Sequence, residues 1–192
     1  AAPYLAAGER LGRETGNVVP WPHQARTVDE TVSRFPQGLL FCDEVGLGKT
    51  IEAGLALREL LLSGRVERAL ILAPKSVLRQ WQEELWEKFV LNVPRYDGGV
   101  MRDVFNHELT WEGSPWGAFP LLLASSQLAK RRERQAEVVA AGPWDLVIVD
   151  EAHHARRMEF LSGRYRPNRL LELLMGTDAQ AGLRDRTDCL YL

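Results

Sequence analysis

Two stretches of this chain hold residues whose types and spacing can do chemistry together. The first is Gly46-Leu47-Gly48-Lys49-Thr50. It completes the second half of the phosphate-cradling pattern G-x-x-x-x-G-K-[ST], but Asp43 stands where that pattern has its first glycine. Glycines let backbone N–H groups turn toward an anion, and a helix start adds unsatisfied donors and about half a positive charge. Lys49 then offers a full charge to the β- and γ-phosphates of a nucleotide, and the Thr50 hydroxyl can ligate Mg²⁺. The second stretch is Asp150-Glu151-Ala152-His153-His154, at the end of the apolar run Leu146-Val147-Ile148-Val149. Asp150 suits a hold on Mg²⁺ through water, because Mg²⁺ keeps much of its hydration shell. Glu151 suits orienting and deprotonating an attacking water.

Each stretch alone has a plainer reading: a solvated glycine turn, or a strand exit whose acids cap a helix. Read together they describe one magnesium–triphosphate site. His153 and His154 are neighbours, so on a helix they would point about 100° apart, a poor arrangement for a two-histidine metal site. A relay to another domain and simple surface polarity both remain open for them.

Such a site needs elements to position it. Short apolar runs at Gly38–Cys42, Ala69–Ala73, Leu121–Ala124, Leu146–Val149 and Cys189–Leu192 read as strands covered on both faces. Between them lie helical stretches. His23–Arg34 has Ala25, Val28 and Val32 at helical spacing, and Ile51–Leu62 is apolar almost all round. Ser76 can cap a helix carrying the stripe Leu78, Trp81, Leu85 and Phe89. Lys130–Ala141 and Asn168–Met175 complete the set, stopped by Gly142-Pro143 and Gly176. Alternating strands and helices predict an α/β layer structure with a mainly parallel sheet, whose ligands bind at the carboxyl ends of the strands. The glycine turn and the acid pair both fall on that edge. Residues 1–20 read as a loose lead-in, and residues 92–118 as a loop with at most one edge strand. The tryptophans read as structural, Trp81 on its helix stripe and Trp144 ahead of a core strand.

The chain has 192 residues, 45% of them apolar, and a formal net charge of −2. That supports a full core and excludes a strongly basic, duplex-coating protein; nucleic acid must be met by a local patch. Two cysteines give no disulfide framework; Cys42 reads as a small buried hydrophobe. No run approaches the roughly 18–20 apolar residues of a membrane helix, and no signal peptide is visible. The expectation is a cytoplasmic chain without a membrane partner.

Taken together these residues resemble the superfamily-two helicases, and within them the Swi/Snf-type ATP-dependent DNA translocases. Asp43-Glu44-Val45-Gly46-Leu47-Gly48-Lys49-Thr50 is similar to that family's phosphate loop, which opens with Asp-Glu, and Ile51-Glu52-Ala53-Gly54 to its continuation in bacterial members. Pro22-His23-Gln24 resembles the upstream glutamine motif, Ala73-Pro74-Lys75-Ser76 with Gln80-Trp81 the second conserved block, and Asp150-Glu151-Ala152-His153 the acidic box. Ser125-Ser126-Gln127 sits where the family has a further segment that contacts DNA.

The resemblance implies a RecA-like phosphate-loop NTPase fold of three layers, spanning residues 21–192. It implies ATP and Mg²⁺ as cofactors, held by His23, Gln24, Glu44, Gly46, Leu47, Gly48, Lys49, Thr50 and Ile51, with Gln24 on the adenine, Thr50 and Asp150 on the metal, and Lys49, Asp150 and Glu151 as the catalytic set. His153 would couple the nucleotide to motion. It also implies contacts to a DNA backbone, read here as double-stranded and sequence-independent, at Lys75, Ser76, Arg79, Ser125, Lys130 and Arg131. Lys130-Arg131-Arg132-Glu133-Arg134 is the densest basic cluster, with a solvated helix face as the equal alternative. The family's Ser/Thr-Ala-Thr motif would follow the last strand, and a second RecA-like lobe with its arginine finger would follow that. Such a finger is worth about 10³–10⁵ in rate, so this lobe alone is expected to turn over ATP very slowly.

Two other classes compete. A nucleotide-gated binding module without turnover has no need of Glu151. A small-molecule kinase would show the full glycine opening and lack the Pro-His-Gln and Ala-Pro-Lys blocks. DNA-stimulated ATP hydrolysis separates them.

Overall fold

The computed structural model describes residue 12 and residues 15–41, 48–159 and 165–191, with the side chains of 189–191 left aside. Cys42, Asp43, Glu44, Val45, Gly46 and Leu47 lie outside the described residues, as does Leu192.

Period-3.6 apolar spacing yields helix α1, Pro22–Arg34, which buries Val28 and Val32. Helix α2, Lys49–Leu62, is buried on nearly every side: Leu55, Ala56, Leu57 and Leu60 are at most 1% exposed. Each of those leucines contributes about 1.5–3 kcal/mol of transfer free energy. Strand β1, Ala69–Ala73, is buried at all five positions. A 3₁₀ turn, Lys75–Val77, leads into α3, Leu78–Phe89. Three two-residue strands follow, β2 (Arg95–Tyr96), β3 (Met101–Arg102) and β4 (Glu108–Leu109), then β5, Leu121–Ser125. After β5 come a short helix α4, Ser126–Ala129, helix α5, Arg132–Ala140, and strand β6, Trp144–Val149. Strands β7 (Arg157–Glu159) and β8 (Tyr165–Pro167) pair antiparallel in a separate ribbon. Helix α6, Arg169–Met175, a 3₁₀ turn, Leu183–Arg186, and strand β9, Thr187–Tyr191, follow.

The main sheet has seven strands among the described residues, in the order β4-β3-β2-β5-β1-β6-β9. Strands β2, β5, β1, β6 and β9 run parallel, and β3 and β4 are antiparallel. Alternation along β1 divides the core. Ala69, Ile71 and Ala73 join α1, α2 and α3 on one face, whereas Leu70 and Leu72 join Trp116, Trp144, α5 and α6 on the other. Helices on both faces of a mainly parallel sheet are the three-layer RecA-like arrangement expected.

Gly54 is required by packing. A Cβ there would lie 2.2 Å from the Phe89 ring, so its absence lets α2 and α3 meet closely.

Several expectations change. Residues 92–118 form three short strands, because Tyr96 packs edge-on to Trp116 (5.3 Å) and anchors the irregular segment to the sheet. Of the expected strand Gly38–Cys42, the described part shows a single bridge at Leu39. The expected helix Lys130–Ala141 forms as α5 but starts two residues later, with Arg131 at its N-cap position, because Lys130 closes the short helix α4 before it. Ser76 makes no cap bond; Val77 caps α3.

The described part of the lead-in is anchored where looseness was expected. Gly12 donates its N–H to Glu59 Oε2 at 2.6 Å, Arg58 donates to the carbonyls of Gly12, Thr15 and Phe89, and Asn17 donates to the carbonyls of Lys88 and Glu87. Most of these bonds use backbone groups of the lead-in, which leave no side-chain period to read.

Candidate functional site

The carboxyl ends of the parallel strands form one edge. Strand β1 opens into Lys75-Ser76, β5 into Ser126-Gln127, and β6 into Asp150-Glu151. Topology alone therefore brings two predicted groups, the acids and the second conserved block, to the same rim.

Asp150 is the most constrained of them. Its N–H donates to the Leu72 carbonyl at 2.8 Å, tying it to β1. Its Oδ2 accepts the Trp81 indole N–H at 2.9 Å, and its Oδ1 accepts the Glu151 N–H at 2.9 Å. Each oxygen keeps a lone pair for a further ligand. Glu151 has φ +55, a left-handed conformation uncommon away from glycine. It is exposed, and its Oε2 lies 3.1 Å from His153 Nδ1. His153 and His154 do not diverge: a 3₁₀ turn sets their rings 4.2 Å apart, and with Glu151 they place three potential ligand atoms within 4.8 Å of one another. All three residues are exposed.

On the nucleotide side, Gly48 caps α2 with φ +82 and supplies no side-chain cap. A Cβ at Gly48 would lie 2.6 Å from Gln24 Nε2, so the glycine admits the Gln24 amide against the turn. Gln24 is 5% exposed, and its Oε1 accepts the Trp21 N–H at 2.9 Å. Beside it, His23 Nε2 is buried with no hydrogen-bond partner among the described residues, and the His23 ring meets Trp21 edge-on at 5.6 Å. Lys49, Thr50 and Ile51 are half-buried in the first turn of α2. Glu44, Gly46 and Leu47 lie outside the described residues.

These features fit a magnesium nucleotide. A helix start without a side-chain cap, a lysine and a threonine in its first turn, and a carboxylate fixed by two N–H donors are groups of the kind such a ligand takes.

The basic face is partly regrouped. Lys75, Ser76 and Arg79 are exposed, though Arg79 pairs with Glu83 at 2.7 Å and Lys75 Nζ lies 4.0 Å from Asp97. Ser125 is 1% exposed, and its hydroxyl caps α4, so it does not face outward. Gln127, in the same segment but outside the expected contacts, is exposed two residues on. Its Oε1 accepts both the Lys75 N–H (2.8 Å) and the Ser125 hydroxyl (3.0 Å), joining the exits of β1 and β5. No spacing rule identifies it, since its partners are distant in sequence. Lys130 is half-buried and Arg131 exposed. Lys130 and Arg132 line a cleft of about 430 Å³ with Met158, Arg166, Asn168 and Arg169.

Residues 23–162 match the family model for the SNF2-related domain. The chain belongs to the SNF2-related domain family. It is a helicase-like first lobe of the Swi/Snf type. Among curated relatives, the RNA polymerase-associated protein RapA of Histophilus somni is 39% identical over 133 residues, covering 69% of this chain and 14% of that protein. RapA of Yersinia pestis is 37% identical over 133 residues, covering 69% of this chain and 13% of its own length. The chain thus matches about one-seventh of the length of these relatives. In three dimensions it is similar to the Sulfolobus solfataricus SWI2/SNF2 ATPase core solved with double-stranded DNA. The TM-score is 0.55 and the identity 20%, over 73% of this chain and 27% of that one, a likeness of fold. Among the described residues, no helix of this SNF2-related domain is long and apolar enough to cross a membrane.

Proposed function

We propose that this SNF2-related domain is the ATP-binding lobe of a motor that moves along double-stranded DNA, with a second RecA-like lobe elsewhere in the same protein. The observation that carries this reading is Asp150: its carboxylate is fixed by two N–H donors on the rim where the exposed Lys75-Ser76 turn also opens. Residues 21–192 form the lobe. ATP supplies the phosphoanhydride, and Mg²⁺ the charge that neutralises it.

The chain's own residues divide the work. The Gly48 turn and Lys49 hold the phosphates, joined by Glu44, Gly46, Leu47 and Ile51 around the loop. Thr50 and Asp150 hold the metal. Glu151 orients the attacking water and takes its proton. Gln24, whose amide oxygen accepts from Trp21, meets the adenine through its amide, with His23 Nε2, unpartnered among the described residues, beside it. His153 reports the state of the general base to the second lobe, a role its 3.1 Å approach to the Glu151 carboxylate supports.

Lys75, Ser76, Arg79, Lys130 and Arg131 grip phosphates without reading bases, so binding is sequence-independent and salt-sensitive. Gln127 joins this face, and Ser125 supports it from beneath. The double-stranded DNA bound by the SWI2/SNF2 core supports a duplex track. The RapA relatives support a bacterial cytoplasmic setting, and their name makes RNA polymerase complexes the first protein partner to test.

The test is ATP turnover by the full protein with and without duplex DNA. Stimulation is expected, together with near-zero turnover by this lobe alone. Nucleotide binding without DNA-stimulated turnover would instead identify a gated binding module. Phosphoryl transfer to a small acceptor without DNA would identify a kinase.

A further inference from the structure

The mechanism above leaves Trp81 unused, and periodicity assigns it to the core. It is 5% exposed on the buried stripe of α3. Yet its indole N–H does not stay in the apolar layer: it donates to Asp150 Oδ2 at 2.9 Å, across a sequence separation of 69 residues. Contrast Trp116 and Trp144, both fully buried, whose indole nitrogens have no hydrogen-bond partner among the described residues. Those rings act as filler. Trp81 alone of the three delivers its polar edge to a functional carboxylate.

We propose that Trp81 is the positioning residue for Asp150. An aspartate side chain has two torsions to fix. The Glu151 N–H on Oδ1 is local and turns with the same loop, so by itself it leaves the carboxylate free to swing with that loop. Trp81 fixes the second oxygen from a different element. It stands on α3, locked by its packing with Leu85, Phe89 and Leu78 in the same core cluster. The Asp150 N–H is in turn held by the Leu72 carbonyl. Strand β1 and the helix that follows it therefore hold Asp150 at backbone and side chain alike.

The same unit exposes Lys75, Ser76 and Arg79, the last only two residues before Trp81. A metal-binding carboxylate is commonly oriented by an outer hydrogen-bond donor, and loss of that donor lowers metal affinity by about 10–100-fold. Here the donor belongs to the element that meets nucleic acid.

The inference rests on the reading of Asp150 as a magnesium-holding group, and the experiment separates the two. A fluorescent, non-hydrolysable ATP analogue is titrated onto this chain at rising Mg²⁺, in wild type, Trp81→Phe, Asp150→Ala and Leu85→Ala. Trp81→Phe keeps an aromatic ring and removes the N–H; it is expected to raise the Mg²⁺ concentration for half-maximal binding about 10-fold. Leu85→Ala, a cavity on the same stripe, is expected to lower the melting temperature without moving that midpoint. If Asp150→Ala raises the midpoint and Trp81→Phe leaves it within twofold of wild type, the role of Trp81 is overturned. If Asp150→Ala also leaves it unchanged, the nucleotide reading itself falls.

A second readout needs no ligand and no folded Trp81 variant. The Trp81 indole N–H resonance in a ¹⁵N–¹H spectrum is expected to move upfield in Asp150→Ala. A resonance that stays in place overturns the bond directly.

Discussion

Two regions of one sheet edge have opposite characters. At the ends of β1 and β5, polar groups satisfy each other: Gln127 Oε1 accepts from Lys75 and Ser125, and the Ser125 hydroxyl also caps α4. At the end of β6, Asp150 is fixed from beneath while Glu151, His153 and His154 face solvent. The first arrangement sets a backbone in place and presents cations. The second presents acids from a left-handed turn. A shared topology thus serves two chemistries, and what separates them is where the hydrogen-bonding capacity of each turn is spent.

The largest effect expected to sharpen this contrast is on Glu151. Glu151→Gln keeps the shape and removes the base, so DNA-stimulated turnover by the full protein falls by about 10²–10⁴, with magnesium nucleotide binding retained. Equal loss of binding and turnover would make Glu151 a ligand and not a base.

Next is the packing beneath both exits. Gly54→Ala brings a methyl to 2.2 Å from the Phe89 ring. A loss of about 1–3 kcal/mol in urea unfolding is expected, carried by a shift of midpoint without a change of slope.

A smaller effect is expected at the basic exit. Gln127→Leu removes the acceptor for the Lys75 N–H and the Ser125 hydroxyl, at a cost of about 0.5–1.5 kcal/mol per bond. Duplex affinity is expected to fall several-fold with an unchanged salt slope, because no charge is removed. Lys75→Ala is expected to reduce that slope by about one. An identical salt slope for Lys75→Ala and wild type would remove Lys75 from the phosphate contacts.

The smallest effect lies far from either exit. Partial burial pushes the Asp103 carboxyl up, but hydrogen bonds from the His107 N–H and ring, with the His107 charge, outweigh it and leave the carboxyl below its ordinary value. A lowered native value means that its stabilisation is present above the ordinary aspartate value of 3.8 and is lost as pH falls through the native one. Asp103→Asn is therefore expected to be slightly less stable than wild type at neutral pH, with the difference vanishing in acid, as read from melting temperatures.

Much of this was legible in one dimension because the signals are local. Strand β1 coincides with its apolar run, and α3 follows the stripe of Leu78, Trp81, Leu85 and Phe89. Ordered motifs from Pro22-His23-Gln24 to Asp150-Glu151 name the family, and chain direction in a parallel sheet already puts strand exits on one rim. What escaped was long-range and polar. The Trp81–Asp150 bond spans 69 residues, and the Gln127–Lys75 bond spans 52. The bonds from Arg58 and Glu59 hold a lead-in that has no period of its own.

Sequence by itself determined the layer architecture and the chemical identity of both exits, since periodicity and residue type act within a few positions. Only tertiary structure decided which donor meets which acceptor. Ser125 turned inward, Gln127 turned outward, and Trp81 spent its one N–H on Asp150. Hydrogen-bond pairing depends on distances of about 3 Å between elements that no spacing along the chain encodes.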